Sequence, residues 1–480
     1  MGEFKVRKIG LIVGVILCVL LLIMPTPDGL TVLGQKVLAV SVLMIVFWMT
    51  EAIPIPITAL LPILLYPLLG ITGSKGQNDI ALFTHYAYPT VYLVLGVGFL
   101  ASAMQRWGLH RRMALGIVKK VGSKPSTIIL GFILATAFVS MWMSNTTATA
   151  MMLPVAISII ATMGDQVTVG FKKALVLAIP YAATMGGLAT VIGTTTNPTG
   201  IGIIQETLGL EISFLEWLKI GLPFTVVMLP VMWIYLRKFY KTDEMEHINI
   251  DVVNKEYEAL GPMNKGEKLT AVVFAASVLL WVTRTFWKGL VPFATDETIA
   301  IAIAIATMVI PVDYKAGVYL LEGKKALSEA PWGTMLLLGG SMVMGNAFTN
   351  AGVAEWVASN LGSLSNMPPI VIIIAVGLVT AILTEVTTNA VVVASFLPVL
   401  AGIAKGIGMD PLQLMLTCMI ASNFAFMLPP ATPPNAIAYS TGAFEISDLM
   451  KAGFGLKLIG LVIFPLLMYF VTFGLLGVGM

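Results

Sequence analysis

The 480-residue chain is 58% hydrophobic and only 11% charged, with a mean hydropathy of +0.92. This composition excludes an ordinary soluble protein, since soluble domains carry about 25% charged residues. The net charge of +3 is small and dispersed, which gives no support to a nucleic-acid partner. The two cysteines, Cys18 and Cys418, lie in apolar segments, so neither a disulfide framework nor a thiolate metal site is predicted.

Apolar stretches long enough to span a bilayer recur along the chain and predict an all-α polytopic membrane protein with about 11 transmembrane helices. The first stretch follows Lys5, Arg7 and Lys8 and imitates a signal peptide, but no convincing small-residue cleavage site follows it. We therefore interpret it as a retained first transmembrane helix. The predicted spans lie near residues 9–25, 30–49, 53–71, 88–104, 172–192, 219–236, 268–288, 297–311, 332–348, 410–428 and 454–477.

Two further apolar regions, 126–162 and 368–403, are interrupted at their centres by polar residues. Each arm is only about 14–17 residues long, which is short for a complete span. We therefore predict two re-entrant helical hairpins, whose tips are tolerated only where they are buried in protein or line a wet cavity. The interrupting residues are Ser140, Ser144, Asn145, Thr146 and Thr147 in the first region and Thr384, Glu385, Thr387, Thr388 and Asn389 in the second.

The polar interruptions recur in the two halves of the chain at a nearly constant offset. Asn389 follows Asn145 by 244 residues, and Pro398 follows Pro154 by the same 244. A second pair of motifs, GTTTN at 193–197 and ATPPN at 431–435, has almost the same separation. We call these two the first and second partner motifs. The pattern predicts two related halves in an inverted repeat that face each other across one binding site, as in many secondary transporters.

Basic residues in short loops predict which side of the membrane is cytoplasmic. The segment 106–124 contains six Lys and Arg residues, and the long polar stretch 237–268 contains another six, diluted by acidic residues. We place both segments and the amino terminus in the cytoplasm and interpret 237–268 as the linker between the halves. The first hairpin then opens from the cytoplasmic side and the second from the outside.

At each predicted tip one helix ends and another begins. Unsatisfied carbonyls at the helix end suit a small hard cation, whereas amide donors at the helix start, with Ser, Thr and Asn side chains, suit an anion. In the second partner motif, Pro433 and Pro434 break the helix and leave backbone carbonyls without a hydrogen-bond donor, which a bound cation would compensate. No Lys, Arg or His lies in the four segments, so we predict modest anion affinity that depends strongly on the cation.

Alternatives remain for several of these residues. Any single Ser, Thr or Asn can simply hydrogen-bond between helices, and Glu385 either has a function or caps the backbone near its tip. His85, His110 and His247 lie outside the four segments, and we interpret each as a surface residue. An anion channel is a distant alternative. A membrane enzyme has little support, since the spans contain no metal-spaced cluster and no nucleophile–base pair.

At these residues the chain resembles the divalent anion:sodium symporter family, whose members carry dicarboxylates, citrate or sulfate. SNTTATAMMLP at 144–154 and ATPPNAI at 431–437 are very similar to the family's signatures, and the resemblance covers essentially the whole chain. It implies a homodimer in which each protomer has a scaffold domain and a mobile transport domain that moves as an elevator. It implies no cofactor, with sodium as the coupling ion.

The same resemblance implies the site residues and the domain boundaries. The first sodium site would use Ser140, Ser144, Asn145 and Gly193, and the second would use Thr384, Thr388, Asn389 and Ala431. Substrate carboxylates would contact Ser144, Asn145, Thr146, Thr388, Asn389, Thr432 and Pro433. The scaffold would comprise 1–124 and 219–366, the latter with the cytoplasmic linker, and the transport domain would comprise 125–218 and 367–480.

Two departures from the family pattern leave the coupling mode open. The second Ser-Asn-Thr motif is Thr388-Asn389-Ala390 here, and Thr195-Thr196 stands where a Pro-Pro pair is expected. The family also contains sodium-independent exchangers. We favour a sodium-coupled transporter of C4-dicarboxylates such as succinate, malate or fumarate, with 2-oxoglutarate and citrate as further candidates. We expect it to be surrounded by lipid in a bacterial plasma membrane.

Overall fold

The computed structural model describes residues 2–72, 80–164, 167–242, 251–360, 367–469 and 474. Within these ranges the chain is almost entirely helical, and its one sheet is an antiparallel pair of short strands. Eight helices of the described segments are long and apolar enough to cross a membrane by length and composition. This pattern agrees with the predicted polytopic helical architecture, while the predicted number of spans stays a prediction.

Among the described residues of the first half are thirteen α-helices and the 3₁₀ turn His85–Ala87. The helices are α1 (Gly2–Ile23), α2 (Val32–Thr50), α3 (Ile55–Thr58), α4 (Leu61–Leu68), α5 (Ile80–Thr84), α6 (Pro89–Trp107), α7 (Leu109–Lys119), α8 (Pro125–Ser140), α9 (Asn145–Met163), α10 (Val169–Leu188), α11 (Thr196–Leu208), α12 (Phe214–Phe239) and α13 (Asp251–Ala259).

The part of the second half that the structure describes contains ten further α-helices, the 3₁₀ turn Pro429–Ala431 and the strands β1 (Pro311–Asp313) and β2 (Val318–Tyr319). The helices are α14 (Lys265–Trp287), α15 (Asp296–Val309), α16 (Gly323–Glu329), α17 (Trp332–Asn350), α18 (Val353–Asn360), α19 (Pro369–Leu383), α20 (Asn389–Gly406), α21 (Pro411–Ala421), α22 (Pro433–Ser440) and α23 (Ile446–Leu467).

Several predicted spans differ from the observed helices, and three of the differences have a local explanation. The span 53–71 is shorter and interrupted between α3 and α4, because Pro62 has no backbone N–H to donate to the carbonyl of Thr58. The span 410–428 ends earlier, at Ala421, where the backbone leaves the helix ahead of the second partner motif. The last span begins earlier, at Ile446, after a capping box formed by Glu445 and Asp448.

Each predicted hairpin region contains two helices separated by a short non-helical tip, as α8 and α9 in the first and α19 and α20 in the second. Helix α9 has 19 residues and α20 has 18, more than the short arms we predicted. By length and composition either helix could cross a membrane. The polar tips are therefore in the predicted places, while the re-entrant course of the hairpins stays a prediction.

Helices from the two halves are interleaved at the centre of the molecule. Helix α10, buried at every position from Ala174 to Leu188, packs against α8, α9, α12 and α22. Helix α21, buried from Leu412 to Ala421, packs against α19, α20 and α11. Helix α22 packs against α9 and α10 of the first half, and α11 packs against α20 and α21 of the second. This packing brings the four polar motifs to one region.

Candidate functional site

Both hairpin tips and both partner motifs border one cavity of ≈ 420 Å³. The start of α3, at Ile55 and Pro56, and the first turns of α17 complete the lining, a contribution that no polar pattern in the sequence indicated. All seven predicted substrate contacts lie on this cavity. They are Ser144, Asn145, Thr146, Thr388, Asn389, Thr432 and Pro433.

Four helices begin at this cavity, namely α9, α11, α20 and α22. Ser144 caps α9 by accepting a hydrogen bond from the backbone N–H of Thr147, and Thr432 caps α22 by accepting from Asn435. Helix amino termini carry partial positive charge and unsatisfied amide donors. Since no described residue on the cavity wall carries a formal charge, these termini make it a site for an anion held by neutral groups.

Behind the first tip, four oxygen atoms lie close together, namely Oδ1 of Asn145, the hydroxyl oxygen of Ser140 and the carbonyl oxygens of Ala183 and Gly193. The Ser140 hydroxyl oxygen lies 2.8 Å from Asn145 Oδ1 and 2.7 Å from the carbonyl oxygen of Ala183. The carbonyl oxygens of Ala183 and Gly193 lie 3.1 Å and 3.2 Å from the same end of the amide. Only the hydroxyl among these four groups carries a hydrogen, so the others repel each other unless a cation lies between them.

The same cluster can be satisfied without a cation if the Asn145 amide turns over. Its Nδ2 group would then donate to the carbonyls of Ala183 and Gly193 and to the Ser140 hydroxyl. With the amide oxygen facing inward, every atom available to coordinate a cation is an oxygen, which is what a hard cation requires. The first predicted sodium ligands Ser140, Asn145 and Gly193 are thus together, while Ser144 points its hydroxyl oxygen at Thr147.

The second tip repeats this arrangement. The Thr384 hydroxyl oxygen lies 2.6 Å from Asn389 Oδ1 and 2.7 Å from the carbonyl oxygen of Ser422. Thr388 and Ala431, the two remaining predicted ligands, line the adjoining cavity beside Asn389. The carbonyls of Ala183 and Ser422 were not predicted, because every residue has a carbonyl and no side-chain pattern marks these two.

The partner motifs are held by matching hydrogen bonds. Asn197 Nδ2 donates to the carbonyls of Gly187 and Thr190, ten and seven residues earlier. Asn435 Nδ2 donates to the carbonyls of Ala425 and Leu428, again ten and seven residues earlier. Each asparagine thereby closes the irregular backbone that precedes its own helix and satisfies carbonyls that the break leaves free.

Glu385 caps the backbone, which was one of its two predicted alternatives. Its carboxylate accepts hydrogen bonds from the backbone N–H groups of Phe426, Met427 and Leu428, at 3.0–3.1 Å. The ammonium group of Lys457 on α23 lies 2.5 Å from the same carboxylate. The buried pair therefore fixes the segment that leads into the second partner motif. Lys457 was missed because it lies in an ordinary apolar span.

The interpretation of His85 as a surface residue is wrong. Its side chain is only 13% exposed, and Nε2 lies 3.0 Å from a carboxylate oxygen of Glu206. His110 is partly buried as well, with Nδ1 3.1 Å from the carbonyl oxygen of Met104. His247 lies outside the described residues. A carboxylate late in an otherwise apolar helix was the signal that could have identified the partner of His85.

We expect Gly187→Ala to lower uptake by about 10-fold or more, because an added methyl group overpacks the first cluster. A Cβ atom at Gly187 would lie 2.2 Å from Asn145 Oδ1 and would push this amide out of place. Initial uptake rates in proteoliposomes measure the effect. Gly460→Ala is the matched control, since a Cβ atom there meets nothing nearer than 3.5 Å. Normal uptake by an inserted Gly187→Ala variant would contradict the cluster geometry.

Comparisons with known proteins identify the family to which the chain is similar. The sequence model described as "Sodium:sulfate symporter transmembrane region" matches residues 5–476. The chain is 35% identical over 485 residues to the "Sodium-dependent dicarboxylate transporter SdcS" of Staphylococcus saprophyticus, covering 98% of this chain and 92% of that protein. It is 37% identical over 486 residues to the protein of the same description from Staphylococcus aureus strain USA300, with the same coverage.

Two solved structures share the fold at low sequence identity. The Alcanivorax borkumensis YdaH transporter gives a TM-score of 0.55 at 12% identity, covering 91% of this chain and 98% of that chain. Neisseria gonorrhoeae MtrF, described as illuminating a class of antimetabolite efflux pumps, gives a TM-score of 0.59 at 12% identity, covering 98% and 96%. At this identity the likeness extends to the fold alone.

Proposed function

Because the chain belongs to the sodium:sulfate symporter family, we propose that it is a sodium-coupled transporter of C4-dicarboxylates such as succinate, malate or fumarate. It is an integral multi-pass membrane protein and a transporter, not an enzyme. The observation that carries the proposal is the single cavity bordered by both polar tips and both partner motifs. The relatives described as sodium-dependent dicarboxylate transporters support the substrate class.

The two tips suit the two ends of a dicarboxylate. Ser144, Asn145 and Thr146 offer donors at the start of α9, and Thr388 and Asn389 offer them at the start of α20. Each carboxylate would receive hydrogen bonds from one tip and from a neighbouring helix amino terminus. Ala390 has no hydroxyl, so the second tip offers fewer side-chain donors than the first. 2-Oxoglutarate and citrate are further candidate substrates.

Sodium ions in the two oxygen clusters would complete the electrostatics of the site. The described cavity wall has no cationic side chain to neutralise two carboxylates. A cation beside Asn145 and another beside Asn389 would supply that charge and hold each amide with its oxygen inward. Substrate binding would then depend on sodium, since each cation lies behind the tip that the carboxylate contacts.

We further propose that residues 125–218 and 367–480 move together as the transport domain of an elevator, with the remaining segments as scaffold. The interleaving of α8–α11 with α19–α22 supports one rigid unit around the site. The elevator, the homodimer, the amino terminus in the cytoplasm and the location in a bacterial plasma membrane belong to this proposal.

Labelled-succinate uptake into proteoliposomes tests the coupling mode in four conditions, with or without an inward sodium gradient and with or without unlabelled dicarboxylate inside. We expect uptake into empty vesicles to require sodium. Uptake that needs internal dicarboxylate and ignores sodium would instead establish the alternative, a sodium-independent exchanger. Conduction through the membrane without saturation would indicate a channel, and no uptake of any dicarboxylate would contradict the substrate class.

A further inference from the structure

A cluster of polar side chains lies away from the substrate cavity, at the far end of α11. The carboxylate of Glu206 lies 3.0 Å from Nε2 of His85 and accepts a hydrogen bond of 2.6 Å from Nδ2 of Asn346. Asn350 in turn donates to the side-chain oxygen of Asn346 at 2.8 Å. The side chains of His85 and Glu206 are each 13% exposed, so their contact is largely shielded from solvent.

The cluster joins segments that the proposed transport cycle moves relative to each other. Glu206 belongs to α11, whose first residues Thr196 and Asn197 form the first partner motif. His85 lies in the 3₁₀ turn before α6, and Asn346 lies on α17, both within the proposed scaffold. Helix α11 packs directly against α17. A movement of α11 past α17 therefore has to separate these side chains.

Separation is feasible because a second cavity adjoins the cluster. This cavity, of ≈ 280 Å³, is lined by His85, Asn346 and Asn350. Water entering it would hydrate His85 and Asn346 after Glu206 has moved away, and would lower the cost of leaving these polar groups without their partner.

We propose that Glu206 is a positioning residue that ties α11 to the scaffold in the conformation described and is released each time the transport domain moves. The inference rests on the proposed elevator function. Glu206 touches neither the cavity wall nor the oxygen clusters, so its loss alters the rate of the conformational step. Glu206→Gln therefore changes the maximal rate of uptake and leaves the half-saturating succinate concentration nearly unchanged.

Asn346→His converts the contact into one that a metal ion can lock. The new imidazole adds a third ligand to those of His85 and Glu206, which are the side-chain types that Zn²⁺ prefers. We expect micromolar Zn²⁺ on both sides of the membrane to inhibit this variant by about tenfold or more and EDTA to restore uptake, because bound zinc joins α11 to α17. The wild-type protein, with two ligands, and the double variant His85→Asn/Asn346→His should remain largely insensitive.

Zinc binding is measured separately as thermal stabilisation of the purified Asn346→His protein. Stabilisation by zinc with undiminished uptake would show that α11 stays fixed to α17 during transport and would overturn the inference. Absence of zinc binding would overturn it as well, because the three side chains would then not be adjacent. Failure of the wild-type protein to transport any dicarboxylate in EDTA would instead refute the proposed function.

Discussion

Asn145→Ala and Asn389→Ala should each lower sodium-driven succinate uptake by about 100-fold, equivalent to about 3 kcal/mol. Each amide faces the substrate cavity and also belongs to an oxygen cluster, with Ser140 in the first half and Thr384 in the second. One substitution therefore removes a carboxylate contact and a cation ligand together. Initial rates in proteoliposomes, measured over a range of sodium concentrations, test this expectation.

The sodium dependence identifies which of the two roles is lost. If the amides hold sodium, both variants will need higher sodium for half-maximal uptake, in addition to their lower rate. Asn360→Ala is the control, because Asn360 is exposed at the end of α18 and donates to the carbonyl of Trp356 in its own helix. Normal transport by folded, correctly inserted Asn145→Ala and Asn389→Ala proteins would refute the site.

Glu385→Gln and Lys457→Met are expected to lower the free energy of unfolding by about 3–5 kcal/mol each, because either change leaves the other charge buried and unpaired. Both side chains are less than 10% exposed, and they contact each other directly. Thermal melting in detergent compares the two single variants with the double variant. The double variant should lose less than the sum of the singles, since it removes both charges.

The backbone contacts of Glu385 give this prediction a second part. Three N–H groups of residues 426–428 would lose a charged acceptor even in the double variant, so its stability should remain below wild type. Glu51→Gln is the matched control, because the Arg7–Glu51 pair is about half exposed and contributes less than about 1 kcal/mol. Wild-type melting of Glu385→Gln would refute a capping role.

The sequence predicted which polar residues line the cavity better than it predicted the bounds of the helices. Ser, Thr and Asn inside apolar runs are conspicuous because they are costly in a membrane, and their offset connected Asn145 with Asn389. The same pattern could not reveal the carbonyl groups of Ala183 and Ser422, which depend only on backbone path. Helix bounds failed where prolines interrupted an apolar run, as they do around α3.

The pattern of polar and apolar residues in the sequence could not identify side-chain partners that lie far apart in the chain. Glu385 was correctly considered as a cap, but nothing in the chain order connected it with Lys457, 72 positions later. His85 was misinterpreted for the same reason, since Glu206 lies 121 positions away. Pairing across such separations is decided by helix packing, which the periodicity of one sequence does not determine.

The hydrogen bonds of the polar motifs have a consequence for how the protein enters the membrane during synthesis. Ser140 and Asn197 find their partners entirely within the first half, at Ala183, Gly187 and Thr190 among others. Thr384 and Asn435 find theirs entirely within the second half. Each half can thus be inserted without exposing these groups to lipid while it waits for the other half. The interleaving of the two halves, and with it the complete cavity, has to wait for α22.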